Sequence, residues 1–160
     1  METIKTALPT HREAKNSLDV LLSRFNDSLP LEETDIKTAT LGIANGIQIR
    51  DYAMGEIGLA LPDTADSLLF IKALEALGTR SAHLIAVKSA YLWESGDSIL
   101  ANLALNEAFK IEPENSLAKL LRRVFSAGWP ADSFKTMREE LAPKVREVVE
   151  QNSEIVVGEE

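Results

Sequence analysis

The sequence predicts an all-α fold of about eight antiparallel helices, arranged as a solenoid or a bundle. Apolar side chains recur every three or four residues in successive segments, which is the period of an amphipathic helix. Glycine, proline and short polar clusters separate these segments, and short connections favour antiparallel neighbours. The triplet Ile47-Gln48-Ile49 has no second strand to pair with, so we interpret it as a linker that buries two isoleucines.

Two amphipathic helices are predicted in the first third of the chain. Residues 10–25 place apolar side chains on one face, and the cluster Asn26-Asp27-Ser28 ends that helix. Residues 31–44 form the second helix, whose first turn is acidic and therefore suits the positive end of the helix dipole. Asn45-Gly46 ends it.

Two further helices are predicted before the middle of the chain. Residues 50–61 form a short helix that Gly55 and Gly58 weaken. Residues 64–77 form the next one, which Thr64 caps and Gly78 ends.

The central helices are the most clearly marked. Residues 81–95 are apolar around most of the helix, which indicates burial on several sides. Gly96 can adopt a left-handed conformation, and Asp97 or Ser98 can then cap the helix of residues 98–111. Pro113 marks the end of that helix.

The last two helices follow two more turn signals. Asn115 or Ser116 is expected to cap a helix that stops at Gly128. A final helix then keeps its phase to about Gln151, although Pro143 should kink or split it.

The chain is expected to form one domain over residues 10–151, since 160 residues suit a single core. Residues 1–9 lack periodicity and are predicted to be a flexible arm. Residues 152–160 are predicted to be a disordered acidic tail.

The helix pair around Gly96-Asp97 resembles a tetratricopeptide repeat (TPR). Ala101, Ala108 and Pro113 match the second helix of that repeat and its closing proline. The repeat is about 34 residues long. No Gly-Asp turn follows in register, so one repeat-like pair is indicated and an array is not.

A longer resemblance covers residues 91–130 and, more weakly, Arg50-Asp51-Tyr52. The residues that carry it in the longer stretch are Trp93, Gly96, Asp97, Ala101, Ala104, Leu105, Ala108, Pro113, Ala118, Leu120, Leu121, Ala127, Gly128 and Pro130. They resemble the C-terminal signature of an uncharacterised actinobacterial domain-of-unknown-function family. The resemblance implies a helical module without an assigned activity, whose longer relatives carry an α/β half.

Composition narrows the possible environments and partners. The net charge of −8 disfavours contact with phosphate backbones, so nucleic-acid binding is not expected. Disulfides and thiolate metal sites are excluded because the sequence has no cysteine, and we expect a cytoplasmic protein. No stretch approaches the ~20 apolar residues that span a bilayer.

No catalytic, cofactor or metal site is predicted. His11 and His83 have no ligand-type residue three or four positions away, so we interpret both as helix-start or surface residues. Adjacent glutamates such as Glu139 and Glu140 point about 100° apart on a helix and cannot share a proton.

Four positions in the last third of the chain are candidates for a partner surface. Lys119, Arg122 and Arg123 form a basic patch, which is either a salt-bridged face or a site for an acidic peptide or nucleic acid. Trp129 either staples two helices together or anchors an interface.

Arg50 and Asp51 are a further candidate pair. They either pair to fix a turn or form a recognition pair in a groove.

These observations favour a non-catalytic helical scaffold that binds a protein partner or self-associates, for example as a homodimer. The alternative is a ligand-binding or enzymatic helical domain whose polar site is assembled from distant residues. That alternative requires polar side chains from separate helices to come together in one site.

Overall fold

The computed structural model describes residues 7–160, and eight α-helices lie within them. They are α1 (His11–Asn26), α2 (Glu33–Asn45), α3 (Ile47–Ala60), α4 (Thr64–Leu77), α5 (Ala82–Glu94), α6 (Ser98–Ile111), α7 (Ser116–Ser126) and α8 (Ala131–Gln151). The described residues contain no strand, only an isolated bridge between Thr10 and Val156. The all-α prediction is confirmed.

Helix α5 is the centre of the core. It contacts α2, α3, α4, α6, α7 and α8, and it packs most extensively on α6. Its buried side chains include Leu84, Ile85, Val87 and Tyr91. This agrees with the broad apolar surface that the sequence shows for residues 81–95, because a helix covered on several sides needs one.

The polar turns end and start helices largely as predicted. Gly96 has a φ of +88°, and the Asp97 side chain accepts a hydrogen bond from the backbone N–H three residues later. Asn115 caps α7 in the same way. Asp63, and not Thr64, caps α4. The side-chain oxygen of each cap satisfies one of the free N–H groups at a helix start.

The interpretation of Ile47-Gln48-Ile49 as a linker is wrong, because these residues form the first turn of α3. Gly46 is extended, with a φ of −134°, and it both ends α2 and begins α3, so one residue makes the whole connection. Ile49 is buried as expected, whereas Ile47 is half exposed.

Helix α8 is continuous through Pro143, so the chain is not split there. The helix lies along α3, and its buried residues Phe134, Arg138, Ala142 and Val149 follow one face. This packing extends to both sides of Pro143 and offsets the one backbone hydrogen bond that proline cannot donate.

Residues 152–160 were predicted to be disordered, but the structure folds them against the start of α1. The backbone N–H groups of His11 and Arg12 donate to the carbonyls of Ile155 and Ser153, at 2.9 and 3.0 Å. Val157 is fully buried. The first N–H groups of a helix lack partners within it, and here the tail supplies them. Most of the predicted N-terminal arm, residues 1–6, lies outside the described residues.

Candidate functional site

A cavity of about 350 Å³ opens at the surface between α3, α7 and α8, and we call it the α3/α7/α8 groove. Most of its lining is apolar: Met54 from α3, Leu117, Leu120 and Leu121 from α7, and Phe134, Met137, Leu141, Ala142 and Val145 from α8. A cavity of this size and character is typical of sites that accept apolar groups.

The two walls of the groove follow from helical spacing. Leu117, Leu120 and Leu121 recur along α7, and Met137, Leu141 and Val145 recur along α8, so each set shares one face. Leu120 is 44% exposed and Leu141 is 50% exposed. These two leucines therefore form an apolar rim at the mouth of the groove.

The floor of the groove depends on two glycines of α3. A Cβ atom added at Gly55 would lie 3.4 Å from the Cβ of Ala142, which is an ordinary contact. A Cβ added at Gly58 would lie 2.5 to 2.7 Å from the guanidinium of Arg138. Gly58 thus leaves the space into which the Arg138 side chain extends.

Arg138 forms a buried ion pair with Glu94 beside the groove. Its Nε and Nη2 donate to the two carboxylate oxygens of Glu94, each at 2.9 Å, and its guanidinium lies 5.0 Å from the ring centroid of Tyr91. Burial is the largest influence and disfavours the charge of Arg138, but the hydrogen bonds to Glu94 together with the electrostatic attraction of Tyr91, Glu94 and Glu139 outweigh it and raise the pKa of Arg138. The pair fixes α8 against α5 and α3.

The Tyr91 hydroxyl lies at the same junction. It donates to the carbonyl of Met54 and accepts from the N–H of Gly58 at 2.8 Å. Burial is the main cause of the raised pKa of Tyr91, so the phenol stays protonated. These contacts position α3 and give no group that could act as an acid or base near neutral pH.

A polar cluster closes one end of the groove. The Nε and Nη2 of Arg50 both lie 2.9 Å from Oδ1 of Asp51, and its Nη1 donates to Ser116 Oγ at 3.2 Å. Asn115 Nδ2 donates to Nδ1 of His83 at 2.9 Å, and Arg50 Nη1 lies 3.5 Å from the same nitrogen. The starts of α3, α5 and α7 meet here.

The donors around His83 determine its protonation state. Asn115 and Arg50 both present N–H groups to Nδ1, so this nitrogen accepts and the ring proton sits on Nε2. Burial and the charge of Arg50 lower the pKa of His83. His83 is therefore a neutral structural acceptor at the start of α5, as a helix-start residue would be.

His11 is also at a helix start, but it is not a surface residue. It is fully buried, and its Nδ1 lies 2.7 Å from the carbonyl oxygen of Ile155 in the tail. Residues 7–160 hold no cluster of histidine and carboxylate side chains suited to a metal ion.

The structure divides the predicted basic patch. Arg122 turns toward α6, where it donates to Oδ1 of Asn102 and Asn106. Lys119 pairs with Glu114 at an exposed site. Arg123 is exposed and follows Leu120 by one turn of α7. Arg123 therefore lies on the same side of α7 as the rim leucine Leu120, whereas Lys119 and Arg122 point away from it.

Trp129 lies outside the buried core. The residue is 39% exposed, and its backbone carbonyl accepts a hydrogen bond from Nε1 of Trp93 at 3.0 Å. Trp93 supplies the staple, because its ring stacks on Phe125 with centroids 4.4 Å apart.

Of the residues predicted from the sequence, Arg50 and Asp51 line the groove. The other four, Lys119, Arg122, Arg123 and Trp129, do not line it. Arg138 and Glu94 were not predicted. One sequence signal pointed to Arg138: it lies four residues after Phe134 and four before Ala142, so a charge falls within the inward stripe of α8. Its partner Glu94, 44 residues away, had no such signal.

Comparisons with known proteins place the chain in a family. Residues 4–132 match the family described as Domain of unknown function (DUF4192). The comparisons with curated proteins and with solved structures gave no match. Among residues 7–160, every helix is too short or too polar to traverse a lipid bilayer. The match covers most of the chain, including the α3 and α7 walls of the groove, and we conclude that this protein belongs to the DUF4192 family.

Proposed function

We propose that this chain is a non-catalytic helical interaction module that uses the α3/α7/α8 groove to bind a protein partner. The observation that carries the proposal is the open apolar groove, whose rim leucines, Leu120 and Leu141, are about half exposed. A row of exposed apolar side chains beside a concave apolar surface is characteristic of interaction sites.

The surroundings of the groove support binding more than catalysis. The buried and half-buried ionisable groups of its lining are already engaged, Arg50 with Asp51 and Arg138 with Glu94, and Lys144 is exposed at its edge. The Nδ1 of His83 accepts a hydrogen bond from Asn115, so it is not free to take a proton from a substrate. A general base needs such a free site within reach of the reacting group.

Two finer features belong to the same proposal. The α5–α6 pair, joined through Gly96 and Asp97, supports a TPR-like helix pair as the scaffold behind the groove. A sequence without cysteine is compatible with a reducing compartment, and we propose a cytoplasmic location.

The test compares co-purification from the native host by the wild-type chain and three variants. Leu120→Asp and Leu141→Asp place a carboxylate at the rim. Leu69→Asp is the control, because Leu69 is 56% exposed on α4 and lies outside the groove. A partner that binds wild type and the Leu69 variant, and is lost with both rim variants, supports the proposal.

Retention of every partner by both rim variants would contradict it. The same variants test self-association by light scattering after size-exclusion chromatography. A dimer that the rim variants dissociate would identify a second copy of the chain as the partner.

A second candidate is a small-ligand domain. Arg50 and Ser116 come from two separate helix starts to the end of a cavity whose volume is in the range of small-molecule sites. A compound that raises the melting temperature of wild type but not of Arg50→Gln would favour this candidate. A screen in which no compound does so would count against it.

A further inference from the structure

The charges around the groove indicate the chemistry of its occupant. Helix α7 carries three basic residues, Lys119, Arg122 and Arg123, and no acidic residue, in a chain whose net charge is −8. Arg122 is turned toward α6 and Lys119 pairs with Glu114, so the positive charge that this side of the groove offers a partner is mainly that of Arg123.

The positive side chains nearest the mouth are available to a partner. Arg123 is exposed and lies one turn after Leu120, whereas Lys119 is exposed but points about 100° away from Leu120 and pairs with Glu114. Lys144 lines the groove from α8, where its side chain is 71% exposed and its ammonium lies 3.7 Å from a carboxylate oxygen of Glu147. Such exposed pairs are weak, so these cations can exchange their partners.

The remaining charges of the lining are neutralised within the structure. Asp51 accepts from Arg50, and the Arg138 guanidinium is held by Glu94 with both side chains almost fully buried. Lys119 and Lys144 have the exposed partners Glu114 and Glu147, so among residues 7–160 the cation near the mouth that no carboxylate pairs with is Arg123, whereas the charge of the chain as a whole is negative. A carboxylate that approaches is repelled elsewhere and attracted here, which orients the partner.

The shape of the groove favours a helix. Met137, Leu141 and Val145 span two turns of α8, about 12 Å at 1.5 Å per residue. The facing wall is helix α7, where Leu117, Leu120 and Leu121 span about one turn. A helix laid between two helices contributes apolar side chains at positions i, i+3 or i+4, and i+7.

We propose that the groove binds an acidic amphipathic helix of another protein. Its apolar face packs between Leu120 and Leu141, and its Asp or Glu side chains pair with Arg123 and with Lys144. The inference rests on the proposed function, because it assumes that the groove is a protein-binding surface. Nucleic acid is a poorer fit, since an apolar groove offers phosphates no contacts and the chain as a whole repels them.

The experiment is a selection from a random peptide display library against the full chain at physiological salt. The enriched peptides are then synthesised, and their affinities are measured by fluorescence anisotropy. Leu141→Asp tests the apolar contact and Arg123→Glu tests the charge. Lys72→Glu is the matched charge control, because Lys72 is exposed on α4, outside the groove.

The expected peptides combine apolar residues at helical spacing with Asp or Glu beside them. Leu141→Asp should weaken their binding about thirtyfold or more, the loss that a central anchor gives. Arg123→Glu should weaken it about tenfold at low salt and much less near 0.5 M salt, where exposed charges are screened. Lys72→Glu should leave binding within about twofold.

The outcomes separate this inference from the proposed function. Peptides that lose binding with Leu141→Asp but carry no acidic bias, and are indifferent to Arg123→Glu, would overturn the acidic-helix inference and leave the groove as a docking surface. Peptides that bind both variants as well as wild type, or a selection that enriches none, would overturn both.

Discussion

Arg138 of α8 donates two hydrogen bonds, each 2.9 Å long, to the carboxylate of Glu94 at the end of α5, and both side chains are more than nine-tenths buried. The guanidinium also occupies the space beside Gly58 and faces the ring of Tyr91. One ion pair thereby joins α8 and α3, which line the candidate groove, to α5.

Removing one partner of this pair should destabilise the protein strongly. Arg138→Leu leaves the Glu94 carboxylate buried without a counter-charge, and we expect a loss of about 3–5 kcal/mol in the free energy of unfolding. Urea denaturation measures it. The double variant Arg138→Leu/Glu94→Leu should recover most of the loss, because no unpaired charge then remains.

The matched control is Arg146→Leu. Like Arg138, Arg146 donates two hydrogen bonds to one carboxylate, here that of Glu56 on α3. The Arg146 side chain, however, is 49% exposed. We expect a loss of about 1 kcal/mol or less. Equal losses at Arg138 and Arg146 would show that burial does not distinguish the two pairs.

Gly58 and Gly55 should respond oppositely to alanine. Gly58→Ala places a Cβ atom against the Arg138 guanidinium, which Glu94 prevents from moving, so we expect destabilisation by about 1–3 kcal/mol. Gly55→Ala meets only an ordinary contact with Ala142 and should be neutral or stabilising by up to about 1 kcal/mol, since alanine favours the helix.

Thermal or urea denaturation compares the two glycine variants. The loss of unfolding free energy caused by Gly58→Ala should be smaller in the Arg138→Leu background, because the added Cβ then no longer clashes with a guanidinium. An additive double variant would contradict this explanation.

Stability should fall on mild acidification because of His83. Burial and the nearby charge of Arg50 lower the pKa of His83, so below a pH of about 6.5 the unfolded chain binds a proton that the folded chain does not. The free energy of unfolding should decrease as the pH falls from this value toward the folded pKa. Below the folded pKa this contribution is constant.

Urea denaturation between pH 7.5 and 5 measures this dependence. His83→Gln keeps an acceptor near Asn115 and removes the titrating ring, so its stability should change less over the same range. The carboxylates titrate in both proteins, and the difference between the two curves isolates His83. Identical curves would refute the assignment.

Because the tail packs against the domain, truncating a buried side chain in it should lower stability, which would not happen if the tail were disordered. Val157 is fully buried, whereas Ile155 is 37% exposed. Val157→Ala should therefore lower the free energy of unfolding by about 1–3 kcal/mol. Ile155→Ala keeps the backbone carbonyl that His11 contacts and should change stability by less than about 0.5 kcal/mol. Equal, negligible effects in denaturation would indicate that the tail does not pack.

Local signals in the sequence determined the helices. Apolar residues at helical spacing predict all eight, and Gly96, Asp97 and Asn115 act at helix ends as their chemistry requires. These features depend on residues within a few positions of one another. The sequence also identified Arg50 and Asp51 as a pair, because neighbours in the chain are neighbours in space.

Only the tertiary structure decided how separated residues meet. Arg138 reaches Glu94 across 44 positions, and Val157 packs beside Gly46 because the tail turns back over α1. The periodicity of apolar residues does not predict such contacts, because they depend on how the helices pack against one another and not on how each helix forms. The groove also depends on tertiary packing. The sequence shows which helix face each leucine belongs to, but only the approach of α8 to α3 places Leu120 and Leu141 at the mouth of the groove.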